Sequence, residues 1–397
     1  MLRPNTITLT LMLSLLTGIA PMSVDMYLAS LPDIGRTLAA PDSAVQLTLS
    51  FYLIGFAIGQ VIYGPLSDRH GRRPILLGAL ELFVAASAAC IFAPTVEVLI
   101  TARFIQAIGG SGTVVLARTV VRDIYEGVHV ARELSRMAAV MALAPLVAPL
   151  IGGALQTYFS WRSNFVVLTG IGLLALALIG FMLQETLRAR APEPVSFASI
   201  LRSYRAFIGN GSFLAHCGIL VCAFGGLFAW ISACAFVLQD LYGLSPLAFG
   251  LTFALGSAGY LVGTWIAAFI VARMGLDRTM GLGCLAMAAG GVGAALALVV
   301  APSSAIALIL PVALFLAGLG LALPQAQAGA LLPFPERAGA ASSLVGFSQQ
   351  AAGAVVGAIV VHWLGQSAWP LALGMAAMGV AAHVIWALTQ KVRAAKS

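Results

Sequence analysis

Apolar residues in this chain come in unbroken blocks of about twenty, neither alternating nor recurring on one helical face. The runs between charged or Pro/Gly/Asn breaks are 6–29, 44–66, 74–93, 97–120, 134–157 and 162–183. A second set follows at 211–239, 244–271, 279–300, 303–331, 338–363 and 367–390. A hydrocarbon layer is crossed by about 20 apolar residues in a helix. Its backbone groups must bond internally there, so each block is expected to be helical. The pattern predicts an all-α polytopic membrane protein of twelve transmembrane helices in two six-helix bundles. The longest polar interval, 184–210, holds four arginines together with Pro192 and Pro194. The expected organisation is a first bundle over 1–183, a cytoplasmic central loop over 184–210, and a second bundle with a short cytoplasmic tail over 211–397. A weak internal repeat agrees with this. Ala272-Arg273-Met274-Gly275 follows the eighth run as Asp68-Arg69-His70-Gly71 follows the second, without the aspartate or the arginine pair that comes next. Such six-plus-six chains rock about a site near the bilayer midplane.

Composition strengthens the membrane reading. Of 397 residues, 60% are hydrophobic and 9% charged, and the mean hydropathy is +1.00; a soluble surface needs far more charge. The net charge of +7 invites a nucleic-acid reading, but its distribution argues against one. Of the 21 basic residues, only Arg36, Arg103 and Arg162 fall outside the tails and loops on the side of the N-terminus. That bias orients the chain with both termini cytoplasmic and implies no nucleic-acid partner. Residues 1–20 imitate a signal peptide, yet Pro21 follows the would-be cleavage site and the apolar run continues, so an uncleaved first span is expected. The five cysteines all fall in expected spans without ligand spacing, so neither a disulfide framework, a metal site nor a cofactor is expected.

Against this apolar background, few residues can carry chemistry. The decapeptide Gly64-Pro65-Leu66-Ser67-Asp68-Arg69-His70-Gly71-Arg72-Arg73 packs five ionisable residues into six positions. It must lie at a membrane face as a very short loop, with Gly64 and Gly71 expected to permit a tight turn and close helix approach. Asp25 lies inside the first run, four residues after Pro21. A lone carboxylate there is costly when charged and is expected to face a cavity or a partner, taking up and releasing a proton. Arg103, inside the fourth run, is its expected partner. The fifth run carries Pro145, Pro149, Gly152 and Gly153, residues that bend a helix and allow close packing. Tyr27, Tyr52, Phe224, Phe228, Trp230 and Phe236 are expected to line an apolar substrate pocket, with Gln60 offering a neutral polar contact. Glu81, in the third run, stays open between local packing and headgroup contact. No Ser/His/Lys or His/Asp/Glu set at helical spacing suggests an intramembrane enzyme.

The decapeptide resembles the loop between the second and third spans of major facilitator superfamily transporters. More widely, Asp25-Met26-Tyr27-Leu28, Arg103-Phe104-Ile105-Gln106, Val121-Arg122-Asp123-Ile124-Tyr125, Pro145-x-x-Ala148-Pro149-x-x-Gly152-Gly153 and Trp161-Arg162-x-x-Phe165 resemble the bicyclomycin/chloramphenicol resistance branch of the twelve-span drug:proton antiporters. Ala29 and Ala235 stand where that branch has proline, departures that bear on substrate range; Ala148 replaces the first glycine of the fifth-run motif, whose implied role is conformational, restricting leak. The resemblance implies proton-coupled export of phenicol- or bicyclomycin-like compounds by a monomer in the bacterial inner membrane. The alternative is an exporter of an endogenous nucleoside or amino-acid derivative. It also implies a conformational gate of Gly64, Asp68, Arg69, Gly71, Arg72 and Asp123, in which Asp68 caps the helix beginning near Ala338 and Asp123 pairs with Arg72.

Overall fold

The computed structural model describes residues 7–126, 128–187, 207–334 and 337–394, and among these every regular element is helical. The chain forms two compact units, Met1–Val195 and Ser196–Ser397. In the first unit α1 spans Ile7–Thr37, α2 Asp42–His70, α3 Arg72–Ile91, α4 Val96–Ile124, α5 Val128–Tyr158 and α6 Trp161–Met182. In the second, α7 covers Gly211–Ala235 and continues as a wider π turn over Phe236–Leu241.

The next helix, Pro246–Val300, has 55 residues, about 80 Å at 1.5 Å each and far more than one hydrocarbon layer. It breaks at Gly275, whose φ of 78° and ψ of 169° are not helical. It is therefore two spans, α8 (246–274) and α9 (276–300). Then come α10 Ala305–Leu331, α11 Ala338–His362, α12 Trp369–Leu388 and the short α13 Gln390–Ala394. Twelve spans result among the described residues, as the apolar runs predict. Phe181, Val300, Ile306 and Trp265 stand exposed on them. So apolar an exterior belongs against lipid, and the protein is a multi-pass membrane protein.

Two details position the candidate site. First, α1 is not one rod. It is helical over Ile7–Asp25, passes through a tight turn at Leu28–Ser30, and resumes at Leu31, where Pro32 suits the first helical turn. Met26 lies at that break, and a Cβ at Gly152 would collide with its carbonyl. Gly152 thus lets α5 press its backbone against the interruption in α1. Pro145 and Pro149 lie within a helix that runs continuously to Tyr158, and Gly153 is buried beside Gly152.

Second, the charged decapeptide is hardly a loop. α2 continues to His70 and α3 starts at Arg72, leaving Gly71 as the sole non-helical residue between them, at φ 102° and ψ 150°. The expectation for Gly64 is corrected: it is helical and faces open space, so the turn depends on Gly71 alone.

Candidate functional site

Two polar constellations of the first unit hold the charged residues that the sequence singles out. The deeper one centres on Arg103, two turns into α4 and fully buried. Its guanidinium carbon lies 4.3 Å from the centroid of the Tyr27 ring, 4.2 Å from that of Tyr52 and 5.8 Å from that of Phe165. Planar and weakly hydrated, a guanidinium stacks on such faces for about 1–2 kcal/mol each when desolvated. Nη1 donates to Gln106 Oε1 at 2.6 Å, and Gln106 Nε2 donates to Ser87 Oγ at 2.7 Å, fixing the cation to α3. Nε and Nη2 meet no hydrogen-bond partner among the described residues. The Tyr27 hydroxyl pairs with Thr48 Oγ1 at 2.7 Å, and the Tyr52 hydroxyl donates to the Ala20 carbonyl at 3.3 Å. Both rings are buried on the arginine, so the expectation that they line a pocket is corrected.

Asp25 ends the first part of α1, one residue before the break. It is 5% exposed and makes no hydrogen bond or ion pair with a described residue. The expected Asp25–Arg103 pair is therefore not formed, because Tyr27 and Tyr52 hold the cation between their faces. Tyr52 covers Arg103 with its ring.

The second constellation ties the ends of α2, α3, α4 and α6. Arg72 is buried; Nη1 donates to Ser67 Oγ at 2.7 Å and to Asp68 Oδ1 at 2.5 Å, and Nε donates to Asp123 Oδ2 at 2.9 Å. Arg69 is exposed and bonds to no described residue. The residue that the sequence reading missed is Glu185. Its carboxylate accepts from the backbone N–H of Arg72 at 2.8 Å and of Arg73 at 3.2 Å, capping the first amides of α3 from beyond α6. A helix N-terminus favours such a charge. A Cβ on Gly71 would lie 2.5 Å from Glu185 Oε2, so the glycine serves both the turn and the cap. The only hint in the sequence was an acid opening a polar interval, which says nothing of its target.

Burial pushes the Glu185 carboxyl up, but the backbone amides of Leu187, Arg72, Arg73 and Thr186 outweigh that and hold it below its usual range. A carboxylate with a lowered folded value contributes stability that is complete above its unfolded value and lost as pH falls through the folded one. Glu185→Gln is expected to lower stability by about 0.5–1 kcal/mol above roughly pH 4.3, the low end of capping energies because the side chain is exposed. It should also flatten the acid limb of the thermal-unfolding profile in detergent. An unchanged acid limb would remove Glu185 from the cap.

The aromatics expected on α7 are distributed differently. Trp230 and Phe236 are buried, with Trp230 stacked at 6.0 Å on Phe253 of α8, so these two pack helices together and do not line open space. Phe224 and Phe228 pair at 5.3 Å. Gln60, on α2, keeps a buried Oε1 without a partner, and Glu81 is exposed on α3. Among the described residues no group of His, Cys, Asp and Glu could hold a metal ion.

Comparison with known proteins supplies the family. The family model described as Major Facilitator Superfamily matches residues 13–358. The chain is 33% identical to an uncharacterized MFS-type transporter, YdgK, of Bacillus subtilis, covering 89% of this chain and 88% of that protein. It is 29% identical to multidrug resistance protein D of Escherichia coli, over 97% and 96% of the two chains. To a bicyclomycin resistance protein homolog of Haemophilus influenzae it is 30% identical, over 94% of each. The crystal structure of a D-xylose–proton symporter superposes with a TM-score of 0.74 at 18% identity over 96% of each chain, a likeness of fold alone. With a helical fold of twelve spans and a family match across most of its length, this chain belongs to the major facilitator superfamily.

Proposed function

We propose that the protein exports small, mostly apolar, hydrogen-bonding compounds such as phenicols or bicyclomycin in exchange for protons, by alternating access. The observation that carries the reading is Asp25: a carboxyl buried in a membrane span without a partner among the described residues, in the same unit as a buried cation with two N–H-bearing nitrogens that meet no described partner. An uncharged carboxyl tolerates those surroundings, whereas a carboxylate requires a cation. Loss of the proton would draw Arg103 off the tyrosine faces towards Asp25. Reprotonation would return it, exchanging one set of donors and acceptors for another as substrate arrives or leaves. Gln60, with its free Oε1, suits a substrate that hydrogen-bonds.

In this reading Asp68, Arg69, Gly71, Arg72 and Asp123 form the conformational gate on the cytoplasmic side, where both termini also lie, and 184–210 links the two bundles. The names of the multidrug and bicyclomycin resistance relatives support drug export over other cargo. In energised everted vesicles, chloramphenicol or bicyclomycin is expected to be taken up while the lumen loses protons, and uptake should stop when the gradient is collapsed. Movement of a nucleoside or amino-acid derivative, with neither antibiotic carried, would replace the reading by metabolite export.

A further inference from the structure

The repeat of the charged turn in the second half of the sequence lacks the aspartate and the arginine pair, yet the α8–α9 turn is not left untied. Asp277, two residues beyond Gly275, accepts from Arg393 Nε at 2.7 Å. Arg393 stands on α13, beyond the last span, and its side chain is only 3% exposed. Its Nη2 donates to the Trp386 carbonyl at 2.8 Å, one of those that the C-terminus of α12 leaves without an intrahelical partner. Its Nη1 donates to the Thr389 hydroxyl. Trp386 closes the triangle, donating from Nε1 to the Asp277 backbone carbonyl at 3.1 Å and filling the space that a side chain at Gly281 would need. Val392 lies against Gly211 at the start of α7. A helix of five residues thus joins α7, α9 and α12.

The first unit uses the same device with the signs exchanged. There an acid from beyond the sixth span grips the backbone amides that open α3; here a cation from beyond the twelfth grips the acid that opens α9. A carrier that rocks needs each bundle to move as a body. A single non-helical residue between two long helices, left free, would let α8 swing against α9 and dissipate the motion in the turn.

We propose that Arg393 is a positioning residue of the transport cycle: through Asp277, α13 clasps the α8–α9 turn and keeps the second unit rigid while it moves. This rests on the reading of the protein as an exporter. The test uses the full chain in proteoliposomes with radiolabelled chloramphenicol, together with amide exchange over residues 273–278. Arg393→Gln and Asp277→Asn are each expected to cut the maximal rate about tenfold while the half-saturation concentration stays within about twofold. Both should speed exchange at the turn about tenfold. The double variant should be no slower than the slower single, because the two residues share one interaction. Lys391→Ala, exposed on the same helix, should change nothing.

A wild-type rate for Arg393→Gln, or additive losses in the double variant, would overturn the positioning role, and unchanged exchange would overturn the clasp itself. If the wild-type protein carries no chloramphenicol, the export reading fails separately. Exchange then decides the clasp alone, faster in the variants if it exists and equal if it does not.

Discussion

Asp25→Asn should abolish proton-coupled export, lowering gradient-driven uptake in everted vesicles by at least about 100-fold, the scale on which removing an essential proton carrier acts. The substitution keeps the shape of the side chain and removes only its capacity to ionise. Asp25 makes no hydrogen bond or ion pair with a described residue, so nothing in the folded state is broken and the melting temperature should hold. Substrate should still bind, detected as protection against thermal unfolding, because the asparagine mimics the uncharged carboxyl. Persistence of proton-coupled export in the asparagine variant would show that the coupling proton travels elsewhere in the chain. Simple loss of folding would move Asp25 from mechanism to structure.

Arg72→Ala is expected to have the largest effect on stability, about 2–4 kcal/mol. Breaking a buried ion pair by removing one partner costs about 3–5 kcal/mol, and here the figure is reduced because Asp68 is partly exposed. The alanine leaves Asp123, which is mostly buried, and Asp68 as neighbouring carboxylates without their shared cation, and it strips Ser67 of a donor. The same substitution at Arg69 should cost under about 0.5 kcal/mol, as expected for an exposed side chain without a bond. Denaturation in detergent of the two single variants separates the predictions. Equal losses would mean that the basic residues of the turn act through net charge and not through this network.

Much of the architecture is legible in the sequence because a bilayer imposes it. Span length follows from layer thickness, helicity from the lack of water for backbone groups, and both are written in runs of apolar residues. The Arg72–Asp123 contact is legible as well, since the resemblance attaches it to a motif. The rest depends on which helices lie against which, and hydropathy holds no record of that. Tyr27 and Tyr52 read as pocket walls because an aromatic residue in a span has no visible orientation; their faces belong to a cation 76 and 51 residues away in numbering. Glu185 and Arg393 carry no sign of their partners in the sequence, because these are a pair of backbone amides 113 and 112 residues earlier and an acid 116 residues earlier. Gly64 misleads for the opposite reason, being a glycine of the motif whose neighbourhood is empty.

The placement of Glu185 also sets a timetable for assembly. Its carboxylate and the amide of Arg72 are 113 residues apart, a stretch that takes about 6–23 s to synthesise at about 5–20 residues per second. Arg72 meets Asp68 at once, Asp123 after 51 further residues, and its cap only when the sixth helix has emerged. Asp277 waits slightly longer, since Arg393 comes 116 positions later. Each bundle is therefore tied by a residue made after its sixth span. A ribosome that stops before Arg393 leaves the second bundle inserted but without this clasp.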